Sequence, residues 1–275
     1  MVCSRRRSLR QAPAGERQAL SGPNVMGVRL ETTSIRKAMT MTLPGVGLRR
    51  RFYIGISLLM GLTAITGFWA TYFGPLVRGT VEQPLLIHVH ATVFVGWLAL
   101  FLAQATLAAT GHLSWHLKLG RFGIGYGLLL IVVGLFTGIS RSANRVITGG
   151  SAEGLLYVAF VDMVLFSGFF GAAIVLRRKP QLHKRLMLVA ATVLLVAAVG
   201  RLSFLPVGPL RIHAELIVWS VPILLAIAYD FSSRRPIHPV YAFGLGALLV
   251  RNYSEFLSQT DAWSAITRSV TALVL

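Results

Sequence analysis

One cysteine and nine acidic residues in 275 positions exclude more than they permit. Cys3 stands alone, so neither a disulfide framework nor a cysteine-based metal site can form. Charged residues make up 13% of the chain, where a soluble domain carries about a quarter. No phosphate-binding loop, HExxH helix or nucleophile–base motif is present, which leaves hydrolytic chemistry without its usual residues.

What is abundant is apolar. Hydrophobic residues make up 55% of the chain and the mean hydropathy is +0.68. A bilayer core about 30 Å thick needs roughly 20 apolar residues per helix, and the sequence holds several such runs. The expected fold is an all-α polytopic transmembrane helix bundle with the lipid bilayer as its first partner. The net charge of +18 does not point to nucleic acid. Eleven of the 27 basic residues lie in residues 1–51 and most others flank apolar runs, the pattern of topology signals.

Residues 1–48 mix Arg, Ser, Gly and Pro with no apolar periodicity and read as a disordered basic leader. No apolar stretch of the kind a secretory signal needs occurs before Phe52. The leader is therefore expected to be a targeting segment, or to be untranslated with synthesis starting at Met39 or Met41; residues 1–38 are expected to be dispensable. The bundle is assigned to residues 49–260 and a carboxyl-terminal tail to residues 261–275.

Seven segments are expected: Phe52 to Phe73, Leu85 to Ala109, Leu119 to Ile139, Gly154 to Leu176, Leu186 to Leu205, His213 to Tyr229, and Val240 to about Leu257, the last interrupted by Arg251. With the amino terminus inside, twelve basic residues (Arg49 to Arg51, Lys118, Arg121, Arg177 to Lys179, Lys184, Arg185, Arg234, Arg235) face inward. Six (Arg78, Arg141, Arg145, Arg211, Arg251, Arg268) face outward. This bias predicts an amino terminus on the cytoplasmic side. Short links make neighbouring helices antiparallel. Small residues (Gly55, Gly61, Gly67, Gly127, Gly134, Gly138, Gly168, Gly171) allow close helix approach. Pro222 should kink the sixth segment.

Polar residues fall into two layers. The inner layer holds His112, His116, His183 and His238 among the basic residues of the connections, where amphipathic side chains ordinarily meet headgroups. His112, His116 and His183 are its secondary metal candidates. The outer layer holds His88, His90, Asp162, Arg201, His213 and Glu215. A lone intramembrane charge costs at least ~2.5–3.5 kcal/mol, so Asp162 and Arg201, both in the outer halves of antiparallel neighbours, are expected to form a buried pair. Histidines of two helices at one depth suit axial ligation of haem iron or, with a carboxylate, copper or zinc. His90 and His213 are the expected ligands, with His88 beside them; haem b is the expected cofactor and copper the alternative. His90 and His112 lie roughly 33 Å apart along a helix, which leaves one outer site and not two stacked haems.

The stretches IHVHATVFVGWLALFLAQATLAATGHLSWHLKLGRFG (87–123) and RRKPQLHKRLMLVAATVLLVAAVGRL (177–202) resemble a group of uncharacterised bacterial polytopic membrane proteins. The shared positions are His90, Gly96, Trp97, Gln104, His116, Gly120, Arg121, Pro180 and His183 to Met187. The His-Lys-Arg-Leu-Met stretch is also similar to a membrane family of cytochrome oxidase maturation, and the His-then-Gly layout to the cytochrome b561 group. The first resemblance, which covers most of residues 50–265, implies a bacterial inner membrane but no established activity; the other two imply a redox or respiratory-maturation role with respiratory-chain partners. The residues alone equally allow a small-solute or ion transporter lined by Asp162, Arg201 and the outer histidines, or a non-catalytic structural membrane protein.

Overall fold

The computed structural model describes the backbone of residues 44–274 and the side chains of residues 51–274. The expected leader lies outside the described residues apart from the helical backbone of residues 44–48, as do Cys3, Met39 and Met41. Helix α1 (Pro44–Phe68) runs into a π-turn (Trp69–Phe73) and the short α2 (Gly74–Val77). Pro75 has no N–H for the carbonyl one turn back. The helix widens just before it, and the Gly74 N–H bonds to the Trp69 carbonyl. Helices α3 (Leu85–Ala109), α4 (Leu113–Ile147), α5 (Glu153–Val175) and α6 (Pro180–Val193) follow. Then come α7 (Val196–Val199), α8 (Arg211–Ser232), α9 (Pro239–Tyr253) and α10 (Asp261–Thr271). Among the described residues there is no strand.

Among the described residues, six stretches are long and apolar enough to cross a membrane: Arg51–Val77, Leu85–Ala109, Leu113–Ile147, Glu153–Val175, Pro180–Val199 and Gly208–Ser232. Only helices satisfy their own backbone polar groups in lipid, so the chain is an all-α bundle of the membrane-integral kind. The expected seventh segment is a different element. Helix α9 has 15 residues, about 22 Å at 1.5 Å per residue, and is followed by a 3-10 stretch, Glu255–Gln259. The third segment is longer than expected, since α4 has 35 residues and carries Lys118, Arg121, Arg141 and Arg145 within its helical ends. Helix α8 runs through Pro222.

Links are short and glycine-terminated where the backbone requires it. Gly111 (φ 82°) follows α3, and the His112 N–H returns to the Leu107 carbonyl at 2.9 Å. Gly149 (φ 73°) ends α4 in the same way, with Gly150 N–H on the Arg145 carbonyl at 2.8 Å. Both are the left-handed helix end that glycine tolerates without steric cost. Consecutive helices α3, α4, α5 and α6 therefore pack pairwise, and α9 packs on α6 and α8. Below, the end carrying the links 78–84, 148–152 and 200–207 is the upper end; the basic-residue bias would face it outward.

Helix α6 lies at the centre, with residues 188–193 all buried. Its ladder breaks after Val193, where the Thr192 carbonyl accepts the Leu195 N–H at 3.0 Å and the buried Trp219 indole N–H at 2.7 Å. Trp97 sits edge-on to Phe166 and Phe170, with ring centroids at 5.2 and 5.4 Å. Gly127, Gly134 and Gly138 meet Phe170, Met163 and Ala159 of α5 so closely that a methyl group would clash, and Gly67 meets the Ala198 backbone. These four are true close-packing glycines. Gly55, Gly61, Gly168 and Gly171 face open space.

Candidate functional site

A cavity of about 540 Å³ opens in the upper half between α1, α3, α4, α5 and the break between α6 and α7. Apolar side chains such as Phe68, Phe94 and Met163 form most of its wall, and Leu194 to Ala198 supply the broken backbone. Its polar lining includes Tyr72, His90, Thr137, Arg141, Asp162 and Arg201. His90 lies flat against Phe94, with centroids at 4.1 Å and planes at 27°. His90 Nδ1 and Thr137 Oγ1 are buried without a hydrogen-bond partner, a state that natural structures rarely leave unexplained. The Arg201 guanidinium lies over the Phe68 ring at 4.8 Å and donates to the Ala197 carbonyl at 2.6 Å.

Asp162 and Arg201 share this cavity but not an ion pair. The partner of Asp162 is Arg251 of α9: Nε donates to Oδ1 at 2.7 Å and Nη2 to Oδ2 at 3.3 Å, with both side chains buried. Arg251 also faces Glu255 at 3.9 Å and the Trp219 ring at 5.6 Å. The forked guanidinium matches both carboxylate oxygens, which a charge this deep requires. The expected Asp162–Arg201 pair is therefore corrected. Depth was read properly for both residues, but Arg201 sits past the end of its helix and turns to Phe68.

A second buried pair closes the lower end. Arg185 of α6 donates to Asp230 Oδ2 of α8 through Nη2 at 2.6 Å and Nε at 3.2 Å. Its Nη1 donates to the Gln181 carbonyl and Oε1, each at 2.9 Å. The Tyr241 ring of α9 lies 5.6 Å from the guanidinium. Helix α9 is thus gripped at its start through Tyr241 and at its end through Arg251. Sequence reasoning missed both arrangements: Arg185 was counted as a topology signal and Arg251 as an interruption. One signal was available for the lower pair, since Asp230 is the sole acidic residue of the lower half beyond residue 51.

The remaining histidines have local partners. His88 Nδ1 meets the Tyr72 hydroxyl at 2.9 Å. His213 Nδ1 meets the Tyr253 hydroxyl at 2.5 Å; His213 is exposed and does not line the cavity, and neighbouring Glu215 pairs with Arg211 at 2.7 Å. His90 and His213 thus occupy separate surroundings. The reason is rotation: on α8, which begins at Arg211, His213 lies on the face that meets Tyr253 at the end of α9. His112 meets Thr110 Oγ1 at 2.8 Å, His116 the Gln104 carbonyl at 3.2 Å and His183 the Ala173 carbonyl at 2.8 Å. His238 caps α9, its Nδ1 accepting from the Val240 N–H at 3.3 Å. Burial, then the Arg185 charge, hold its imidazole below the usual range. Among the described residues no group of three or more His, Cys, Asp or Glu could hold a metal ion.

Compared with known proteins, the chain matches no family model, no curated protein and no solved structure.

Proposed function

We propose that this chain is a carrier in a bacterial inner membrane, with its amino terminus cytoplasmic, that takes a small organic solute into the upper cavity. The observation that carries this reading is the break between α6 and α7, whose residues Leu194 to Ala198 line the cavity. Secondary transporters bind solute where a discontinuous helix exposes backbone to a cavity, and irregular backbone persists at membrane depth where protein buries it or where it lines a cavity, as Leu194 to Ala198 do. The volume of about 540 Å³ suits one small molecule. The basic-residue bias supports the orientation, and the resemblance to bacterial polytopic membrane proteins supports the compartment.

The test needs no knowledge of the solute. In a Cys3→Ser background, Ala91→Cys places a single thiol on the cavity wall. An impermeant maleimide added to sealed vesicles of either orientation should label it from both faces, as alternating access requires. Labelling from one face only would make the cavity a static site and overturn the carrier reading.

A second reading keeps haem b in the same cavity, as a redox or maturation protein with respiratory partners. His90 favours it: an unpartnered imidazole nitrogen could ligate iron, with Arg141 and Arg201 near for propionates. Copper finds less support, since only one histidine faces the cavity. A Soret band in protein from a haem-replete host, lost in His90→Ala and kept in His213→Ala, would establish this reading; a blank spectrum from that host would remove it.

A further inference from the structure

We infer that the cavity selects an amphipathic anion, its carboxylate or phosphate head held between Arg141 and Arg201 and its apolar body against Phe68, Phe94 and Met163. The inference rests on the cavity being a solute site and names the solute's chemistry.

The argument is an account of charge. Four carboxylates of the upper end already have partners: Asp162 on Arg251, Glu255 on Arg251, Glu215 on Arg211, and Glu153 on Ser151 Oγ and the Ala152 N–H. Glu82 does not line the cavity, and Asp261 opens α10 beyond it. Arg141 and Arg201 make no salt bridge among the described residues, yet both line the cavity and the charge of Arg141 acts on Arg201.

Two like charges at one rim repel, and neither is neutralised by an acid, in contrast to Arg185, Arg211 and Arg251. One hydrogen bond is made by Arg201, to Ala197. A guanidinium carries five N–H donors, so most stay free for an anion, and two guanidiniums can hold a carboxylate or phosphate from both sides. Deeper in, His90 Nδ1 and Thr137 Oγ1 offer polar atoms without partners. Most of the remaining wall is apolar, with Asp162 already held by Arg251, which favours a head joined to a hydrocarbon body over a small inorganic anion.

The head could belong to a free solute or to a membrane phospholipid, and the experiment separates these. The full chain is placed in nanodiscs of zwitterionic lipid and titrated calorimetrically with octanoate, octyl phosphate, octylammonium and octanol, with empty discs as the blank. The two anions should bind, and octylammonium should not. Arg141→Gln and Arg201→Gln should each weaken anion binding by about tenfold, the scale of one lost charge-assisted contact. Arg201→Lys should retain binding within severalfold, and Arg145→Gln, outside the lining, should match the wild type. Doping the discs with an anionic phospholipid should leave octanoate affinity unchanged if the ligand is a free solute and suppress it if a headgroup supplies the anion; either result keeps the anion site. Equal binding of octanol and octanoate, insensitive to both Gln substitutions, would overturn the anion inference while leaving a solute cavity. Failure of all four probes to bind correctly folded wild type would overturn the cavity as a solute site as well.

Discussion

Asp162 and Arg251 meet in a two-pronged ion pair across 89 residues of chain, with Nε–Oδ1 at 2.7 Å and Nη2–Oδ2 at 3.3 Å. The pair ties α9 to α5 inside the bundle and explains how an arginine sits within an apolar helix.

Breaking that tie on one side should be worse than removing it. Asp162→Asn or Arg251→Gln leaves an uncompensated buried charge, which typically costs ~3–5 kcal/mol. Replacing both removes the charge altogether. Thermal unfolding in detergent should show the double variant less destabilised than the sum of the singles. Additive losses would mean the two side chains act independently.

At the lower end the same reasoning applies with an extra partner. Asp230→Asn should strand Arg185 with Gln181 and the Tyr241 ring and lower stability by about 3 kcal/mol or more. Gln181→Ala removes one acceptor while the Gln181 backbone carbonyl remains, so its cost should be near 1 kcal/mol. Equal melting temperatures for the two variants would contradict this ranking.

The chain should finish at the end opposite to its start. The Phe52 ring stacks on Tyr229 at the lower end with centroids at 4.0 Å. At the other end Tyr157 bonds Ser254 at 2.8 Å and the Trp263 indole N–H reaches the Glu153 carbonyl at 3.0 Å. Helix α9 is short, but with the 3-10 stretch after it the chain runs from the lower end of the bundle to its upper end beside α5. Alkaline phosphatase fused after Leu273 should be active in a bacterial host, and green fluorescent protein fused there should be dark. The reverse would place both ends on one side.

Glycines of equal appearance in sequence should differ in effect. Gly138→Leu forces a side chain into Ala159 and should separate α4 from α5, destabilising by about 1–3 kcal/mol or more. Gly168→Ala meets nothing within 4 Å and should be neutral or stabilising by up to ~1 kcal/mol, as Ala exceeds Gly in a helix interior. Parallel unfolding curves would separate the two; identical curves would argue against the close approach at Gly138.

Composition and charge placement made the bundle and its links readable, because length, apolarity and flanking Arg or Lys follow from the bilayer alone. They also placed Asp162, His90 and Arg201 at one depth, and these three do line one cavity. What they could not provide was rotation. Which face of a helix meets which neighbour depends on packing at Gly127, Gly134 and Gly138 and on the break after Val193, and hydropathy does not encode these. Hence Asp162 was matched to the arginine of the adjacent segment instead of to Arg251, and His213 was brought inward when it sits on Tyr253. Depth comes from sums over many residues, whereas pairing comes from single contacts.

The separation of 89 residues between Asp162 and Arg251 also bears on how the protein is made. The carboxylate reaches the membrane long before its guanidinium has been synthesised. Throughout that interval the α4–α5 hairpin must carry its acid protonated or sheltered beside the insertion machinery. Release to lipid becomes favourable only when α9 arrives, so that helix acts as the latch of biogenesis, and a chain halted before Arg251 carries a built-in mark of incompleteness.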